Sequence, residues 1–226
     1  MDPTFAAISG RYDFMTRVMS FGQEQRWKAR AVSLIPKRGG ETRILDLASG
    51  TGDFPLHIRD AGFTAPIIGL DRNPKMLEVS RQKCAGQPHI EFLQGDLLEI
   101  PFKDQSFDAI TMGYGLRYVA DIRHILKEVH RLLTPGGIFV CLDFGVPKFR
   151  LYRHLCFGYL LLLGTLWGLL LHGKGSTYWH IVESLMSYPG QKVVKAWLQE
   201  AGFGSAGLSS FSQPFGPKHK PRTPLL

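Results

Sequence analysis

The stretch from Arg43 to Phe54, RILDLASGTGDF, decides how the rest of the chain can be interpreted. Its first half is apolar and predicts a short buried strand. Gly50 and Gly52 then form a turn that leads into a helical pattern. A glycine turn lets backbone approach a ligand closely, and it directs the free N–H groups of the next helix at that ligand. The turn by itself is compatible with either a ligand-binding loop or a tight connection.

The residues after the turn decide between two classes of cofactor. A dinucleotide fingerprint needs a third glycine, but here Gly52 is followed by Asp53, Phe54 and Pro55. The carboxylate of Asp53 would also repel a phosphate group. An acid at this position suits a cationic or zwitterionic ligand. S-adenosylmethionine fits, because its sulfonium is positive and it carries no phosphate.

Carboxylates recur at the ends of the next predicted strands. The run PIIGL ends at Asp71, and the run HIEFLQ is followed by Gly95 and Asp96. An acid at the tip of the second strand can hold a ribose diol through two hydrogen bonds, and Asp96 could accept from the exocyclic amine of an adenine. Single acids after strands are usually turn residues. Three in step, counting Asp46, predict a nucleoside site.

Six blocks of the sequence resemble class I methyltransferases, and specifically the ubiquinone/menaquinone C-methyltransferase (UbiE/MenG) family. The glycine turn is common to all class I methyltransferases, whereas the first, fourth and last blocks are more specific to this family. The blocks occur in family order and cover residues 12 to about 203. They are YDFMTRVMSFGQEQRWK (12–28), LDLASGTGDF (45–54), GLDRNPKML (69–77), GYGLRYVAD (113–121), LLTPGG (132–137) and TYWHIVESLMSYPGQ (177–191).

The resemblance implies S-adenosyl-L-methionine as the cofactor and carbon methylation of a prenylated quinol in menaquinone- or ubiquinone-type biosynthesis. Arg117 matches an arginine that the family links to substrate activation, and we expect it to be catalytic together with Asp143. A purely structural pairing of Arg117 with Asp121 or Asp143 is the alternative. The implied cofactor-binding residues are Asp46, Ala48, Ser49, Gly50, Thr51, Gly52, Asp71, Arg72, Met76, Asp96, Leu97 and Gly113. The candidate substrate-binding residues are Tyr12, Met15, Tyr118, Tyr178 and His180.

Several positions depart from the family pattern, and most of them face the acceptor rather than the donor. Two further function classes therefore stay open. One is an O- or N-methyltransferase for another lipophilic aromatic or lipid substrate, and the other is a non-catalytic subunit that binds the donor. Retention of Arg117 and Asp143 argues against the second. The departures are Thr16, Glu24, Ser49, Tyr118, Gly145 and His180.

Strand and helix patterns alternate along the chain, which predicts an α/β fold with a doubly wound, mostly parallel sheet and ligands at the carboxyl ends of the strands. With the resemblance, this becomes a Rossmann-like class I methyltransferase with an α-helical cap. Strands are expected at 43–48, 66–71, 89–94, 107–113 and 137–144, and helices at 53–61, 74–85, 121–133 and 191–201. We expect one domain, 1–226, with an N-terminal helical flap at 11–36 and a basic, proline-rich tail at 214–226.

The hairpin that usually ends this fold is disturbed here. Residues 207–211 can form a sixth strand, but Pro214 and Pro217 each lack the N–H that a central strand would need. We predict that the seventh strand is missing, shortened or displaced. The edge left exposed could be a homodimer contact.

Residues 148–188 are predicted to form a hydrophobic helical cap. Leu155 to Leu171 is a run of 17 uncharged residues with basic residues on both sides. As a helix it would span ~25 Å, whereas a membrane span usually needs roughly 20 residues. Three interpretations stay open: a cap over an apolar acceptor, a cap that also enters the bilayer, and a true span. The basic flanks favour contact with one lipid surface.

Composition limits the remaining classes. The 226 residues carry a net charge of +8, which favours an anionic partner, and no nucleic-acid module or basic stripe is present in the sequence. Three cysteines without a C-x-x-C spacing imply neither disulfides nor zinc, and we expect no metal. The first residues lack the apolar core of a signal peptide. We therefore expect a cytoplasmic protein, peripheral to the inner face of the membrane.

Overall fold

The sheet of the computed structural model consists of five parallel strands, and the structure describes residues 8–37, 42–147, 149–204 and 206–207. The strands are β1 (Ile44–Leu47), β2 (Ile67–Asp71), β3 (Ile90–Gln94), β4 (Phe107–Gly113) and β5 (Leu133–Leu142). Their order is β3-β2-β1-β4-β5, and every neighbouring pair is parallel. The order reverses between β1 and β4, which is where an open α/β sheet leaves a crevice for ligands.

Eight α-helices surround this sheet in the described part of the chain. They are α1 (Tyr12–Met19), α2 (Glu24–Val32), α3 (Asp53–Asp60), α4 (Pro74–Lys83), α5 (Ile122–Leu132), α6 (Arg150–His172), α7 (Trp179–Ser187) and α8 (Gln191–Glu200). Short 3₁₀ turns occur at Ser9–Arg11, Leu116–Tyr118 and Gly175–Tyr178.

Alternating side chains of the central strands pack against helices on both faces of the sheet. Leu45 and Leu47 of β1 face one layer, which contains α5 and α8, and Ile44 faces the other, which contains α2 and α3. Helix α5 buries five residues spaced three or four apart, because that spacing forms one apolar side of a helix. They are Ile122, Ile125, Leu126, Val129 and Leu132.

The strands and helices expected from the sequence are confirmed within a few residues at each end, except at β5. Residues 134–137, which lead into the strand expected at 137–144, lie inside β5 as an irregularity. Phe107 pairs with Leu133 and Ala109 pairs with Ile138, so three extra residues of β5 are accommodated between the two pairs. Gly136, in the left-handed region with φ +75°, allows the local reversal.

Helices α1, α6 and α7 form a layer beyond the carboxyl ends of the strands. Ile8, Met15, Met19 and Tyr178 are buried together there, against Leu160, Trp167 and Leu171 of α6 among others. Residues 150–172 form one helix of 23 residues, longer than the uncharged run predicted. The expected sixth strand, apart from Gly207, and the proline-rich tail lie outside the described residues, so those expectations stay predictions.

Candidate active site

A cavity of about 270 Å³ lies at the crevice where the strand order reverses. It is lined by the ends of β1, β2 and β4 and by the loop after β3. Of the twelve cofactor-binding residues predicted from the sequence, eight line it: Ala48, Gly50, Asp71, Arg72, Met76, Asp96, Leu97 and Gly113. The wall also contains residues that the sequence did not single out, namely Asn73, Leu98, Tyr114, Gly115, Val119 and Ala120.

Asp71 is held in this wall by backbone on both sides. Its Oδ2 accepts from the Gly50 N–H at 2.9 Å, and its Oδ1 accepts from the Asn73 N–H at 2.8 Å. Burial raises the pKa of Asp71 above its ordinary value, although these backbone N–H groups act in the opposite direction. The Asn73 side chain then caps α4 by accepting from the Lys75 N–H at 3.0 Å, as Asn-Pro at a helix start indicates. One carboxylate thereby ties the glycine turn after β1 to the start of α4.

Asp46 lies inside β1 rather than at its tip, and it does not line the larger cavity. It is 1% exposed and accepts a hydrogen bond from Thr111 Oγ1 at 2.6 Å. Thr111 is its register partner on β4, a pairing that the sequence could not reveal. Burial raises the pKa of Asp46 to about 8. Asp46 therefore supports the crevice from beneath.

Three residues of the glycine turn, Ser49, Thr51 and Gly52, also do not line the larger cavity. Ser49 is buried, and its Cβ is close to Gly69 of β2, so it packs on the sheet. Thr51 Oγ1 donates to Asp13 Oδ1 of α1 at 2.6 Å. Gly52 has φ +82°, and a Cβ there would lie 3.0–3.1 Å from the side chains of Phe92, Cys84 and Ser80. Gly52 is thus needed for the turn and for packing.

Asp53 does not present its charge to a ligand as the sequence suggested. Its carboxylate is paired with Lys28 of α2 and Lys83 of α4, and Lys83 also contacts Asp13 of α1 at 2.6 Å. Lys28 is 4% exposed. The two lysines hold the pKa of Asp53 below its ordinary value, although burial alone would raise it. This cluster fastens α1, α2 and α4 to the start of α3.

Two residues with strained backbone mark the crevice. Ala48 after β1 has φ +52° and Tyr114 after β4 has φ +57°, and both line the cavity. Residues with a Cβ rarely adopt the left-handed region, and such strain concentrates at ligand sites. The Tyr114 hydroxyl is also buried without a hydrogen-bond partner among the described residues. A polar ligand group at this point would satisfy it.

A second cavity, of about 30 Å³, lies under α1, α6 and α7. All five predicted substrate-binding residues, Tyr12, Met15, Tyr118, Tyr178 and His180, line it together with Arg117. The rest of its wall is mostly apolar or aromatic: Ile8, Thr16, Met19, Tyr114, Phe144, Leu160 and Ile181. Tyr12, Tyr114 and Tyr118 belong to both cavities, so the two meet at these rings.

Arg117 is held rigidly at the edge of the second cavity. Its guanidinium pairs with Asp143, and the two side chains are 4% and 6% exposed. Nε donates to Ser184 Oγ at 3.2 Å, and Nη2 donates to the Tyr118 hydroxyl at 3.2 Å. Burial lowers the pKa of Arg117, but Asp143, Tyr118 and Tyr12 together outweigh this effect, and the pKa is raised overall. A permanent, oriented cation therefore faces the second cavity.

The other proposed partner of Arg117 has a different role. Asp121 caps α5 by accepting from the His124 N–H at 2.9 Å. Asp143 is not part of either cavity wall, but it accepts from the Arg117 and Phe144 N–H groups at 3.3 and 2.8 Å in addition to the ion pair. Asp143 therefore orients the Arg117 side chain from outside the cavity wall.

The residues of the larger cavity fit the cofactor expected from the sequence. Asp71 and Asp96 supply carboxylates for a ribose diol and an adenine amine, and Met76 and Leu97 supply an apolar wall. Carboxylates near the crevice suit a sulfonium cation better than a phosphate. Burial raises the pKa of Tyr12 well above its ordinary value, so this residue at the junction remains a neutral phenol.

Comparisons with known proteins agree with this geometry. A model described as the ubiE/COQ5 methyltransferase family matches residues 1–220. A demethylmenaquinone methyltransferase of Staphylococcus aureus is 34% identical over 209 residues, which are 92% of this chain and 86% of that protein.

Solved structures share the fold. A presumed methyltransferase of Bacillus halodurans superposes with a TM-score of 0.56 at 20% identity, over 81% of this chain and 70% of that one. Phosphoethanolamine N-methyltransferase 2 of Haemonchus contortus superposes with a TM-score of 0.59 at 16% identity, over 79% of this chain and 37% of that one.

Proposed function

The chain belongs to the ubiE/COQ5 methyltransferase family, and from that premise we propose that it methylates a ring carbon of a prenylated quinol where its two cavities meet. It is an S-adenosylmethionine-dependent methyltransferase of quinone biosynthesis. The observation that carries the assignment of sites is the junction at Tyr12, Tyr114 and Tyr118. It joins a cavity with carboxylates for a nucleoside to an apolar cavity with one oriented arginine.

The larger cavity is the donor site in this proposal. When bound, S-adenosylmethionine supplies an electrophilic methyl group on a positively charged sulfur. Asp71 holds the ribose diol with its remaining lone pairs, and Asp96 accepts from the adenine amine. The Gly50 N–H fixes the Asp71 carboxylate before the donor arrives, which lowers the entropic cost of binding.

The smaller cavity marks the acceptor site, and its covering helices have to move apart to admit an aromatic ring, because about 30 Å³ holds little more than one water molecule. A quinol hydroxyl resembles a phenol, with a free pKa near ~10. Arg117 placed against it lowers that pKa, so that the hydroxyl proton can pass to bulk water as the acceptor binds, and it stabilises the phenolate that remains. The neighbouring ring carbon then forms a C–C bond to the methyl group as the C–S bond breaks and S-adenosylhomocysteine leaves. Loss of the proton from that ring carbon to water restores the aromatic ring, and the phenolate oxygen is reprotonated. Asp143, Ser184 and Tyr118 keep the guanidinium in one orientation, so Asp143 acts through Arg117 as a positioning residue.

The aromatic wall limits the access of water to this reaction. Tyr12 and Tyr178 cover the acceptor cavity beside Met15, and Tyr178 and Met15 are each 2% exposed. In this low-dielectric setting the cation of Arg117 acts more strongly on the developing charge than it would in water.

A lipophilic acceptor implies contact with a membrane. The fold is compatible with a cytoplasmic enzyme, and the net charge of +8 favours the anionic inner face. We infer peripheral attachment, which a high-salt wash of isolated membranes should release. Protein that stays bound through both high salt and carbonate would contradict a peripheral attachment.

Product analysis tests the reaction itself. Purified protein, the donor and a reduced demethylated quinol with a short prenyl chain should give a product heavier by one methyl group. A carbon-methylated quinol keeps both hydroxyls and can be reoxidised to a quinone, whereas an O-methyl ether cannot. A product that resists reoxidation would replace carbon methylation with O-methylation, and methylation of amine acceptors alone would replace it with N-methylation.

A further inference from the structure

We propose that one side of α6 lies in the plane of an anionic lipid surface, so that the acceptor enters its cavity from the bilayer. The inference deepens the proposed function, because a prenylated acceptor would be dissolved in that bilayer. The side in question, called the outer face below, consists of Leu151, Leu155, Leu162, Leu166 and Leu169, which are 75%, 63%, 70%, 49% and 55% exposed.

The outer face is one continuous apolar stripe. Its residues are spaced three, four or seven apart, which places them on the same side of a helix. Phe149, Tyr152 and Leu170 extend it and are also more than half exposed. Soluble monomers rarely expose contiguous apolar surface of this kind, so the stripe indicates a binding surface.

The opposite side of α6 roofs the acceptor cavity. Leu160 lines the cavity, and Trp167 and Leu171 pack into the cluster that contains Met15 and Tyr178. The helix therefore separates the site from whatever covers the outer face.

The packing of α6 excludes a transmembrane orientation. Its length of 23 residues, and a mean hydropathy of 1.8 over an 18-residue stretch within it, are compatible with a span. However, the polar segment 173–177 folds back along the helix, and a Cβ on Gly168 would lie 2.6 Å from the Lys174 carbonyl oxygen. A spanning helix would carry this irregular backbone into hydrocarbon, where its polar groups lack partners. Lying in the interface keeps them in contact with water.

Charge complementarity identifies the partner as an anionic membrane. The sequence has no Asp or Glu from residue 144 to residue 182, whereas Lys148, Arg150, Arg153 and Lys174 are in this segment. The basic residues flank both ends of the apolar stripe. Both ends of α6 can reach anionic headgroups simultaneously if the helix lies parallel to the surface.

The seam between α1 and α6 would then open toward lipid. Phe14 packs edge-on against Trp167 with ring centroids 5.5 Å apart, and Phe21 stacks on Tyr159 at 5.9 Å. Phe14 is 48% exposed and Phe21 is 79% exposed. Trp167 also packs on the buried cluster of Met15 and Tyr178, so parting the contact between Phe14 and Trp167 would let an apolar ring pass from lipid to the acceptor cavity without crossing water.

Vesicle binding by the full chain provides the first test. Wild-type protein should bind phosphatidylcholine vesicles containing phosphatidylglycerol, and salt should weaken the binding. The double variant Leu162→Glu/Leu166→Glu should bind more than about tenfold more weakly. Val193→Glu, a matched change on α8 at an apolar residue that is 39% exposed, should bind like wild type. The proposal is overturned if wild-type protein does not bind these vesicles at low salt. It is also overturned if the wild-type protein is a dimer and the double variant is a monomer, because the outer face would then be a dimer interface.

Depth measurement separates the in-plane helix from a span. Nitroxide labels on Leu155→Cys, Leu162→Cys and Leu169→Cys, each in a Cys156→Ser background, should report similar depths. In a spanning helix the first and last labels, 14 residues apart, would be separated by ~21 Å along the membrane normal. That pattern would overturn the in-plane orientation.

Turnover distinguishes this inference from the proposed function. The double variant should match wild type on a short-chain acceptor in water and lose more than about tenfold on a long-chain acceptor in vesicles. Equal loss on both acceptors would contradict entry from the bilayer. If wild type methylated neither acceptor, the proposed function would fail while the vesicle and depth results still stood.

Discussion

The buried pair of Arg117 and Asp143 allows the catalytic role of the arginine to be separated from its structural role. Both side chains are almost fully buried. The Arg117 and Phe144 N–H groups donate to different oxygens of Asp143, so Asp143→Asn keeps an acceptor for one of them and leaves the guanidinium without its counter-charge. Removing one partner of a buried pair typically costs about 3–5 kcal/mol of folding free energy, because an uncompensated charge remains. Arg117→Met should cost a similar amount of folding free energy, because it leaves the buried Asp143 carboxylate unpaired.

Combining the two changes should recover much of this loss. The double variant Arg117→Met/Asp143→Asn removes both charges. In the wild type, Arg117 Cζ lies 4.5 Å from the ring centroid of Tyr118 and 5.3 Å from that of Phe144, and methionine is long enough to fill the space between the two rings. We expect urea unfolding to give a coupling free energy of about 2–3 kcal/mol. The exposed pair of Arg123 and Glu200, both 58% exposed, provides the control, and Arg123→Met/Glu200→Gln should give a coupling below about 1 kcal/mol.

Activity should not follow stability in this series. Every variant without Arg117 should turn over more than about tenfold more slowly, including the double variant, because the cation that stabilises the phenolate is absent. Calorimetry with S-adenosylhomocysteine should show nearly unchanged donor affinity. Additive stabilities within about 0.5 kcal/mol would refute the buried ion pair. A stable double variant with normal turnover would refute the catalytic role.

Three further predictions concern the donor crevice. Asp71→Ala should weaken S-adenosylhomocysteine binding by about 1.5–3 kcal/mol, since a charged hydrogen-bond acceptor is lost, and unchanged calorimetric affinity in a folded variant would rule out the ribose role. Asp46→Asn should make unfolding of the donor-free protein less dependent on pH. The folded pKa of Asp46 is about 8 and its unfolded pKa is ~3.9, so the native state holds the extra proton and wild-type stability falls as pH rises between these values. In that window the free energy of unfolding of the variant, relative to that of the wild type, should rise by up to about 1.4 kcal/mol per pH unit. If the two free energies of unfolding changed with pH in parallel, the raised pKa of the buried carboxyl would be contradicted. Gly52→Ala should destabilise the protein more than Gly86→Ala. Both glycines have φ near +82°, but an added methyl group at 52 meets three side chains, whereas one at 86 meets none of the described atoms within 4 Å. Equal decreases in the thermal unfolding midpoint would contradict the packing role of Gly52.

The local sequence pattern was sufficient to predict the strands and helices and many of the residues that line the crevice. The alternation of short apolar runs and helical periods predicted five strands. Four of them were found within a few residues of their expected ends, whereas β5 begins four residues earlier than expected. Residues directly at strand ends, such as Ala48, Asp71 and Asp96, were placed correctly because the ends of parallel strands meet at one edge. The relevant information lies within a few consecutive residues, where periodicity and turn chemistry act.

Pairings across the sheet and between helices were not predictable in this way. Asp53 was expected to face a ligand, but Lys28 and Lys83 neutralise it from helices that lie far from it in the sequence. The burial of Asp46 against Thr111 follows from the register of β1 and β4. These contacts join residues separated by 25 to 65 positions, and only the folded chain defines them.

The sequence by itself indicated the family through the resemblance of its motif blocks. It also determined the succession of strands and helices along the chain and the long apolar run after residue 154, because periodicity and composition are properties of consecutive residues. The tertiary structure decided which side of that run is covered. Gly164 and Gly168 turn toward the segment 174–178, and the leucines of the outer face are left exposed. A helix that is apolar all round has no periodicity to indicate its buried side. Its orientation is therefore set by packing against the neighbouring elements, which a hydropathy pattern cannot contain.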